Sequence, residues 1–376
     1  MADKLKNIEN NAVVGIITRH NVPNYGSILQ AYATEEVLRR LGYAPYTVDY
    51  LRSQESLKSL VARYSDGRSF IHRLYRTTVW RLLYLVGQAR FKKERGAILH
   101  LSESCNEEDF WDKLPATSVY LTGSDQVWNE LGDGTVDGLF FWDGLEKEGE
   151  QRLVSYAASF GAEALTKGYE DRIKEWLQPY DAISVREDSG VKLVGQCGKK
   201  ATQVLDPTLL LNEEEWMALA EGGEQRRRPY ALVYNLHPDS DMLNYVKEKT
   251  RGSGLDVVSV CPTFRRRIGK HVVLPSLATF ITLFKNAECV YTDSFHGTAF
   301  CINLKTPFVA IFPKENAARN HSVLRLFGLE NRAWDRFTGN AWDKDIDWDS
   351  VHSVLNLERA RSLRWLQEAL SGEENG

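Results

Sequence analysis

The chain has 376 residues, of which 43% are hydrophobic, and a formal net charge of −4. This length exceeds one compact core and predicts two domains, while the slightly acidic balance gives no sign of a nucleic-acid binder. We find no apolar run of 18 residues and no apolar stretch at the start, so we expect neither a membrane-spanning helix nor a secretory signal. Five cysteines without a CxxC pair indicate a reduced, cytoplasmic protein.

Apolar strands alternate with helical segments along the first half of the chain. A strand over Val13–Thr18 leads through a turn into a helix over Ile28–Leu41, with Gly42 as its C-cap. The stretch Ser69–Arg95 carries seven basic residues against Glu94 alone, with apolar residues between them. It predicts a basic amphipathic insertion, either an ordinary covering helix or one that contacts an anionic membrane. Further elements are predicted at Tyr46–Tyr50, Ser118–Leu121, Leu153–Ser159, Glu170–Leu177, Ala182–Val185 and Val204–Asp206.

The second half repeats the alternation after a polar interruption. Residues 213–229 contain GGEQRRRP and are interpreted as a hinge between an N-terminal domain, 1–212, and a C-terminal domain, 230–376. Alternation of this kind predicts parallel sheets covered on both faces. The expected fold is therefore α/β, with two Rossmann-like doubly wound modules that face a cleft. The C-terminal elements are predicted at Tyr230–Asn235, Met242–Lys249, Val257–Cys261, Leu277–Lys285, Cys289–Thr292, Ala299–Leu304 and Phe308–Phe312.

Polar residues gather where the predicted strands end. Asp293-Ser294-Phe295-His296-Gly297-Thr298 follows one strand directly, and similar loops follow five others. Because the carboxyl ends of parallel strands converge, these loops indicate one crevice suited to a small anion and a polyhydroxylated partner. There is no GxxxxGK[ST] and no GxGxxG, and the lone HxxE at His100 lacks the second His of a zinc helix, so no metal is expected. The other loops are Asn24–Ser27, Gly123–Asn129, Ser159–Gly161, Ser184–Ser189 and Asp206–Thr208.

The fragments NYGSILQAYA, GSDQVWN, SYAASFG, SVREDSG, VLDPTLLL and TDSFHGTAFCINLKTPFVAI together resemble the polysaccharide pyruvyl transferase family. The resemblance extends from Asn24 to about Arg332. It implies a two-domain protein of the GT-B type that moves the enolpyruvyl group of phosphoenolpyruvate onto sugar hydroxyls as a ketal and releases phosphate. The acceptor would be a surface polysaccharide or its precursor, free or lipid-linked, and no cofactor would be needed besides phosphoenolpyruvate as donor. The N-terminal domain would take the acceptor and the C-terminal domain the donor.

Arg186 is the candidate for capturing the donor. It lies at a predicted strand end, and a guanidinium suits the carboxylate and phosphate of phosphoenolpyruvate. The alternative is an ion pair with Glu187, Asp188 or Asp206.

Two further residues are candidates for moving protons. His296 suits the delivery of a proton to the methylene carbon and the binding of the phosphate, and the alternative is a structural His bonded to Asp293 or Ser294. Asp125 suits the removal of a proton from the sugar hydroxyl, and the alternative is an N-cap.

Nine residues of the same loops are expected to bind substrate. The aromatic ones would stack on sugar, although packing in the core is the commoner role of such rings. Arg319 matches an Arg that the family often carries near this point. The nine are Asn24, Tyr25, Gly26, Ser124, Trp128, Ser294, Gly297, Thr298 and Arg319.

Two other functions stay open at this point. A nucleotide-sugar glycosyltransferase would have the same two-module shape, and a non-catalytic binding module would use the fold alone. The expected location is the cytoplasm, with peripheral contact at the inner face of the cell membrane through residues 69–95.

Overall fold

The computed structural model describes residues 12–53, 81–130, 134–236, 240–261, 268–312, 318–341, 343 and 345–372. Contacts between Cα atoms divide the chain into two units. The first unit takes the chain up to Val22, Ser27–Pro207 and the chain from Ser362 onward. The second unit takes Pro23–Gly26 and Thr208–Arg361.

A sheet of six short parallel strands forms the centre of the first unit. The strands are β1 (Val13–Ile17), β2 (Ala44–Thr47), β3 (Val119–Thr122), β4 (Arg152–Ala158), β5 (Ala182–Val185) and β6 (Thr202–Gln203). Their order in the sheet is β2-β1-β3-β4-β5-β6, so the direction of winding reverses between β1 and β3. The central strands are almost wholly buried, which explains why they are continuous apolar runs rather than alternating ones.

Helices connect these strands. They are α1 (Tyr25–Arg40), α2 (Arg81–Ile98), α3 (Glu170–Leu177) and α4 (Asp188–Gln196), with a 3-10 turn at Gly138–Phe141. Gly42 ends the first helix with φ of +89°, and the Tyr43 amide donates to the Leu38 carbonyl at 3.0 Å. A left-handed residue closed by such a bond is a glycine C-cap, so the predicted role of Gly42 is confirmed.

Aromatic rings dominate the core beside this sheet. Trp128 has no exposed surface and stacks on Phe141, with 5.1 Å between ring centroids and 11° between ring planes. Phe160 and Tyr180 pack against the same indole. Because a ring of this size buries about 150–250 Å², Trp128 anchors the loop that leaves β3.

The second unit is built on a sheet of five parallel strands. The strands are β7 (Tyr230–Tyr234), β8 (Asp256–Cys261), β9 (Lys270–Val273), β10 (Cys289–Thr292) and β11 (Phe308–Ala310). Their order is β11-β10-β7-β8-β9, so the winding reverses between β7 and β10. The helices are α5 (Pro207–Leu210), α6 (Glu213–Leu219), α7 (Ser240–Thr250), α8 (Leu277–Lys285), α9 (Phe295–Leu304), α10 (Ala318–Leu326) and α11 (Trp348–Ser371), with a 3-10 turn at Glu330–Arg332.

Every pairing in the two sheets is parallel, and helices connect the strands. The predicted α/β class with two Rossmann-like modules is therefore confirmed. In the part of the chain that the structure describes, none of the helices combines the length and the apolar character needed to span a bilayer.

The division by contacts differs from the predicted limits of 1–212, 213–229 and 230–376. Residues 213–229 were expected to form a hinge, but they count with the second unit and begin with α6. Asn212 starts that helix through a capping box, since its side chain accepts from the Glu215 amide and the Glu215 carboxylate accepts from its own amide. At the other end of the chain, α11 returns to the first unit, where the Leu205 amide donates to Ser362 Oγ at 3.0 Å.

Arg332 ties the edge strand β11 to the segment that follows it. The guanidinium is fully buried, and its Nε donates to the Phe308 carbonyl at 2.9 Å. The two terminal nitrogens reach Asp345 at 2.7 Å and the Ala341 carbonyl at 3.3 Å. The guanidinium carbon of Arg332 also lies 4.4 Å from the centroid of the Phe337 ring. One side chain therefore satisfies two buried carbonyls and one half-exposed carboxylate.

We expect Arg332→Met to lower the free energy of unfolding by about 3 kcal/mol, because the two carbonyls would stay buried without a donor. Chemical denaturation with a fluorescence readout measures the loss. Arg361→Met is the matched control, since the Arg361 side chain is 54% exposed where it pairs with Glu358, and its loss should cost less than about 0.5 kcal/mol. Equal small losses in both variants would contradict the structural role of Arg332.

Candidate functional site

Ligands of open parallel sheets bind beyond the carboxyl ends of the strands, at the point where the strand order reverses. In the first sheet this point lies between β1 and β3, and in the second between β7 and β10. The loop after β3 contains Ser124 and Asp125, and the loop after β10 contains Asp293–Thr298. Two of the loops chosen from the sequence thus lie at the switch points, one in each unit.

In the second unit, hydrogen bonds join the ends of β7 and β10. The Leu236 amide donates to Asp293 Oδ1 at 2.7 Å, and the Thr292 hydroxyl donates to the Tyr234 carbonyl at 2.9 Å. The next residue, Ser294, is the N-cap of α9, because its side chain accepts from the Gly297 amide at 3.3 Å. The positive end of the α9 dipole is therefore held at the switch point, where it favours an anion.

His296 lies in the first turn of α9 and is 3% exposed. Its ring lies directly against Gly26, since a Cβ built on that glycine would come within 2.4 Å of both Cγ and Nδ1. Gly297, the residue after His296, has equally little space, because a Cβ built on it would lie 2.3 Å from Thr292 Oγ1. No side chain larger than hydrogen fits at either position without moving its neighbour. Gly26 and Gly297 thus hold the imidazole and the helix start in place by close contact.

Asn24 and Tyr25 belong to the second unit and are held by it. The Asn24 side-chain oxygen accepts from the Gly26 amide at 3.0 Å and from the Tyr234 hydroxyl at 3.2 Å. Tyr25 is 1% exposed, donates to the Pro275 carbonyl at 2.7 Å and stacks on Phe280 with 4.6 Å between centroids. The expectation that Tyr25 offers its face to a sugar is corrected, because the ring is buried, stacks on Phe280 and has its hydroxyl bonded to Pro275.

In the first unit, the loop after β3 is fixed by hydroxyl groups. The Thr18 hydroxyl, just beyond β1, donates to the Ser124 carbonyl at 2.6 Å. Ser124 Oγ donates to Asp206 Oδ2 at 2.7 Å, and Ser27 Oγ donates to Asp125 Oδ2 at 2.6 Å. Asp125 has φ of 78°, a left-handed conformation that a non-glycine residue adopts only where its surroundings impose it.

Arg186 lies among three carboxylates. Its NH1 is 2.8 Å from Asp206, its NH2 is 3.7 Å from Asp125 and its Nε is 3.9 Å from Glu187, while its side chain is 1% exposed. Burial acts to lower the pKa of Arg186, but Asp206, Asp125 and Glu187 outweigh it and the net shift is upward. The alternative foreseen from the sequence, an ion pair with Glu187 or Asp206, is present. The capture of phosphoenolpyruvate by Arg186 stays a prediction.

Three other residues that were predicted to bind substrate are Trp128, Thr298 and Arg319. Trp128 is in the aromatic core, so its expected contact with sugar is corrected for the same reason as that of Tyr25. Thr298 is buried in α9, and its hydroxyl donates to the Ser294 carbonyl at 3.3 Å, which is a structural contact within the helix. Arg319 lies in the first turn of α10, but its side chain is outside the part that the structure describes.

A charged cluster at the ends of β1 and β2 escaped the sequence analysis. The buried ring of His20 has Nδ1 3.1 Å from the Thr18 carbonyl and Nε2 3.3 Å from Asp49 Oδ1, while Arg95 NH2 lies 3.1 Å from the same oxygen. Burial would raise the pKa of Asp49, but the hydrogen bond from His20 and the charge of Arg95 hold it below its ordinary value. The signal was available, because His20 follows the first strand by three residues.

The basic insertion is described from Arg81 onward, and its earlier residues lie outside the described ranges. In α2, Arg90, Lys92 and Lys93 are exposed, and Leu85 and Val86 are 44% and 53% exposed. Arg95 was grouped with these basic residues but is turned inward onto Asp49.

Among the described residues, no group of three or more His, Cys, Asp or Glu side chains could hold a metal ion. At the switch point of the second sheet, the start of α9 and the imidazole of His296 can bind an oxyanion and move a proton. At the switch point of the first sheet, Arg186 lies with carboxylates and hydroxyls.

Solved structures similar to this chain include two sugar-nucleotide epimerases. The UDP-GlcNAc 2-epimerase of Neisseria meningitidis, bound to UDP-GlcNAc, is 10% identical over 97% of this chain and 95% of that chain, with a TM-score of 0.42. The UDP-N-acetylglucosamine 2-epimerase of Rickettsia bellii is 9% identical over 96% of this chain and 97% of that chain, with a TM-score of 0.45. Similarity this distant carries no argument about what this chain does.

A search of curated proteins finds no match to the chain. The family model for polysaccharide pyruvyl transferase matches residues 24–311, which is most of the chain and includes the loops at both switch points. The chain therefore belongs to the polysaccharide pyruvyl transferase family.

Proposed function

We propose that this protein transfers the enolpyruvyl group of phosphoenolpyruvate to a sugar of a surface polysaccharide, such as an exopolysaccharide or capsule, or of its precursor. The observation that carries the proposal is the family match across a segment in which His296, in the first turn of a helix at a switch point, packs against Gly26. The product is a pyruvate ketal, and the acceptor is free or lipid-linked. The donor carries its own leaving group, so the reaction requires no cofactor.

In the proposed reaction, one sugar hydroxyl adds to C2 of phosphoenolpyruvate while the methylene carbon takes up a proton and becomes a methyl group. The bond between C2 and the phosphate oxygen then breaks. A second hydroxyl of the same sugar attacks C2 and closes the ketal. One hydroxyl proton thus ends on the methyl group and the other on the released phosphate.

His296 is the proposed acid for the methylene carbon and a ligand of the phosphate. Two features support this role: the ring lies at the amino end of α9, where the dipole favours the donor's negative charge, and its burial excludes competing water. Ser294, Gly297 and the start of α9 would receive the phosphate.

Arg186 remains the proposed ligand for the donor, and Asp125 the proposed base for the sugar hydroxyl. The distance of 3.7 Å between Arg186 NH2 and Asp125 exceeds a hydrogen bond. A donor oxyanion that takes the place of Asp125 beside the guanidinium would release the carboxylate toward the hydroxyl. Ser124 and Asn24 would contact the substrates from their loops, and Arg319 from the start of α10.

We also propose a cytoplasmic protein that rests at the inner face of the cell membrane through α2. The exposed Leu85 and Val86, together with Arg90, Lys92 and Lys93, support contact with an anionic lipid surface. We propose no nucleic-acid partner.

Replacing His296 by Gln should lower phosphate release from phosphoenolpyruvate by about 100-fold or more, because general acid catalysis contributes at least that much. Phosphate is measured with a panel of saccharides, and mass spectrometry identifies a carboxyethylidene group on the product. His100→Gln is the control, because its ring is exposed and outside the site.

Two results would count against the proposal. One is a His296 variant that keeps the full rate. The other is a folded wild-type protein that releases no phosphate with any acceptor. A melting temperature raised by UDP- or GDP-sugars and unchanged by phosphoenolpyruvate would favour a glycosyltransferase instead.

Replacing Gly26 by Ala should displace the imidazole of His296. We expect a destabilisation of about 1–3 kcal/mol from overpacking, together with a loss of kcat. In the His296→Ala background the same substitution should be neutral or stabilising, since Ala favours a helix over Gly by up to about 1 kcal/mol. Thermal unfolding of the four proteins in this cycle checks the change of sign.

Gly195→Ala is the matched control for this cycle, because it also lies in a helix and a Cβ there meets nothing within 4 Å. If Gly26→Ala had the same effect in both backgrounds, the close contact with His296 would not be the reason that position 26 requires a glycine.

Sedimentation with vesicles that contain phosphatidylglycerol tests the membrane contact. The wild type should sediment at low salt and be released at high salt, because the attraction is electrostatic. Lys92→Gln/Lys93→Gln should weaken binding, and Lys247→Gln/Arg251→Gln, which removes the same charge from the second unit, should not. Wild-type protein that stays in the supernatant at every salt concentration would contradict the proposed membrane contact through α2.

A further inference from the structure

A cationic cavity of about 370 Å³ opens at the amino end of the second sheet. Arg226, Arg227 and Arg228 line it just before β7 begins, and Lys270 lines it at the first residue of β9. His296 follows the carboxyl end of β10, and all five strands are parallel. The cavity and the candidate site therefore lie at opposite edges of the same sheet, and the proposed reaction does not use the cavity.

The arginine segment is fixed at both ends. On one side, the Glu224 amide donates to Thr279 Oγ1 at 3.1 Å, and a Cβ on Gly223 would lie only 2.7 Å from the Ala278 carbonyl. On the other side, the buried Tyr230 begins β7. Five residues, 225–229, thus span two anchored points beside α8, which keeps the guanidinium groups at the cavity.

The lining carries an excess of positive charge. Four cationic side chains face two carboxylates, Glu224 and Asp256, which leaves an excess of two positive charges. Lys270 Nζ lies 2.6 Å from Asp256 Oδ2. That hydrogen bond, with the charges of Arg228 and Arg226, holds the pKa of Asp256 below its ordinary value. A ligand with negative charge is favoured, and Asp256 stays ionised as an acceptor.

The floor of the cavity has a different chemistry. Val272 and Leu283 are apolar, and Thr279 adds a hydroxyl. An acidic sugar matches all of these groups at once. Its C–H face packs on the floor, its hydroxyls donate to Glu224 and Asp256, and its carboxylate pairs with guanidinium groups. A bare phosphate would match the cations alone and would meet two like charges.

We propose that this cavity is an accessory binding site for an acidic saccharide, that is, a sugar ring that carries a carboxylate. The proposal rests on the proposed function for one point, the identity of the natural glycan. A pyruvate ketal is itself a carboxylate on a sugar, so a chain that already carries ketals would be retained by the cavity. The site would favour acidic polymers over neutral ones.

Isothermal titration calorimetry of the full chain without phosphoenolpyruvate tests the site. The probes are trigalacturonic acid, galactotriose and inorganic pyrophosphate. We expect trigalacturonic acid to bind at least about tenfold more tightly than the other two, and Arg226→Gln/Arg228→Gln to weaken it by about tenfold or more. Lys247→Gln/Arg251→Gln removes two exposed cations of the same unit and should change the affinity by less than about twofold.

Three outcomes would overturn the site: no binding of trigalacturonic acid, equal losses in the two double variants, or pyrophosphate that binds as tightly as the acidic sugar. Binding without any transferase activity would leave the cavity assigned and refute the proposed function. Transferase activity without binding of trigalacturonic acid would support the proposed function and refute the accessory site. Equal melting temperatures of the wild type and the two double variants would show that a change in affinity does not come from unfolding.

Discussion

The hydrogen bond from the Leu236 amide to Asp293 determines the geometry at the switch point of the second sheet. It joins the segments that leave two neighbouring parallel strands, which would otherwise diverge. The Thr292 hydroxyl makes a second connection to the Tyr234 carbonyl. Because Asp293 directly precedes the N-cap Ser294, these bonds determine where α9 begins and therefore where the imidazole of His296 lies.

The switch point of the first sheet is organised by charge. Arg186 and its three carboxylate partners come from the ends of several strands, and hydroxyls of Ser27 and Ser124 complete the network. Removing Arg186 would leave these buried carboxylates without their shared cation, which is costly. An anionic ligand at this point has to take the place of one of these carboxylates beside Arg186.

How much could be predicted from the sequence depended on the range of the contacts. The strand over Cys289–Thr292, the polar turn and the following helix are contiguous, so pattern alone located them. The helix begins at Phe295 and not at Ala299, because its first turn is polar and resembles a loop. Trp128 and Tyr25 were assigned to a sugar groove because their partners, Phe141 and Phe280, are distant in sequence. The cluster of His20, Asp49 and Arg95 was missed for the same reason, because these residues are also distant in sequence.

Neither unit is one continuous stretch of the chain. The second unit includes Pro23–Gly26 from near the start, and the first unit includes the last turns of α11. A nascent chain released only as far as Pro207 still lacks the segment of the first unit that follows the second unit in the sequence. Two gene fragments divided after that proline would each lack a segment of the unit that they mainly encode, so neither unit is complete without the other fragment.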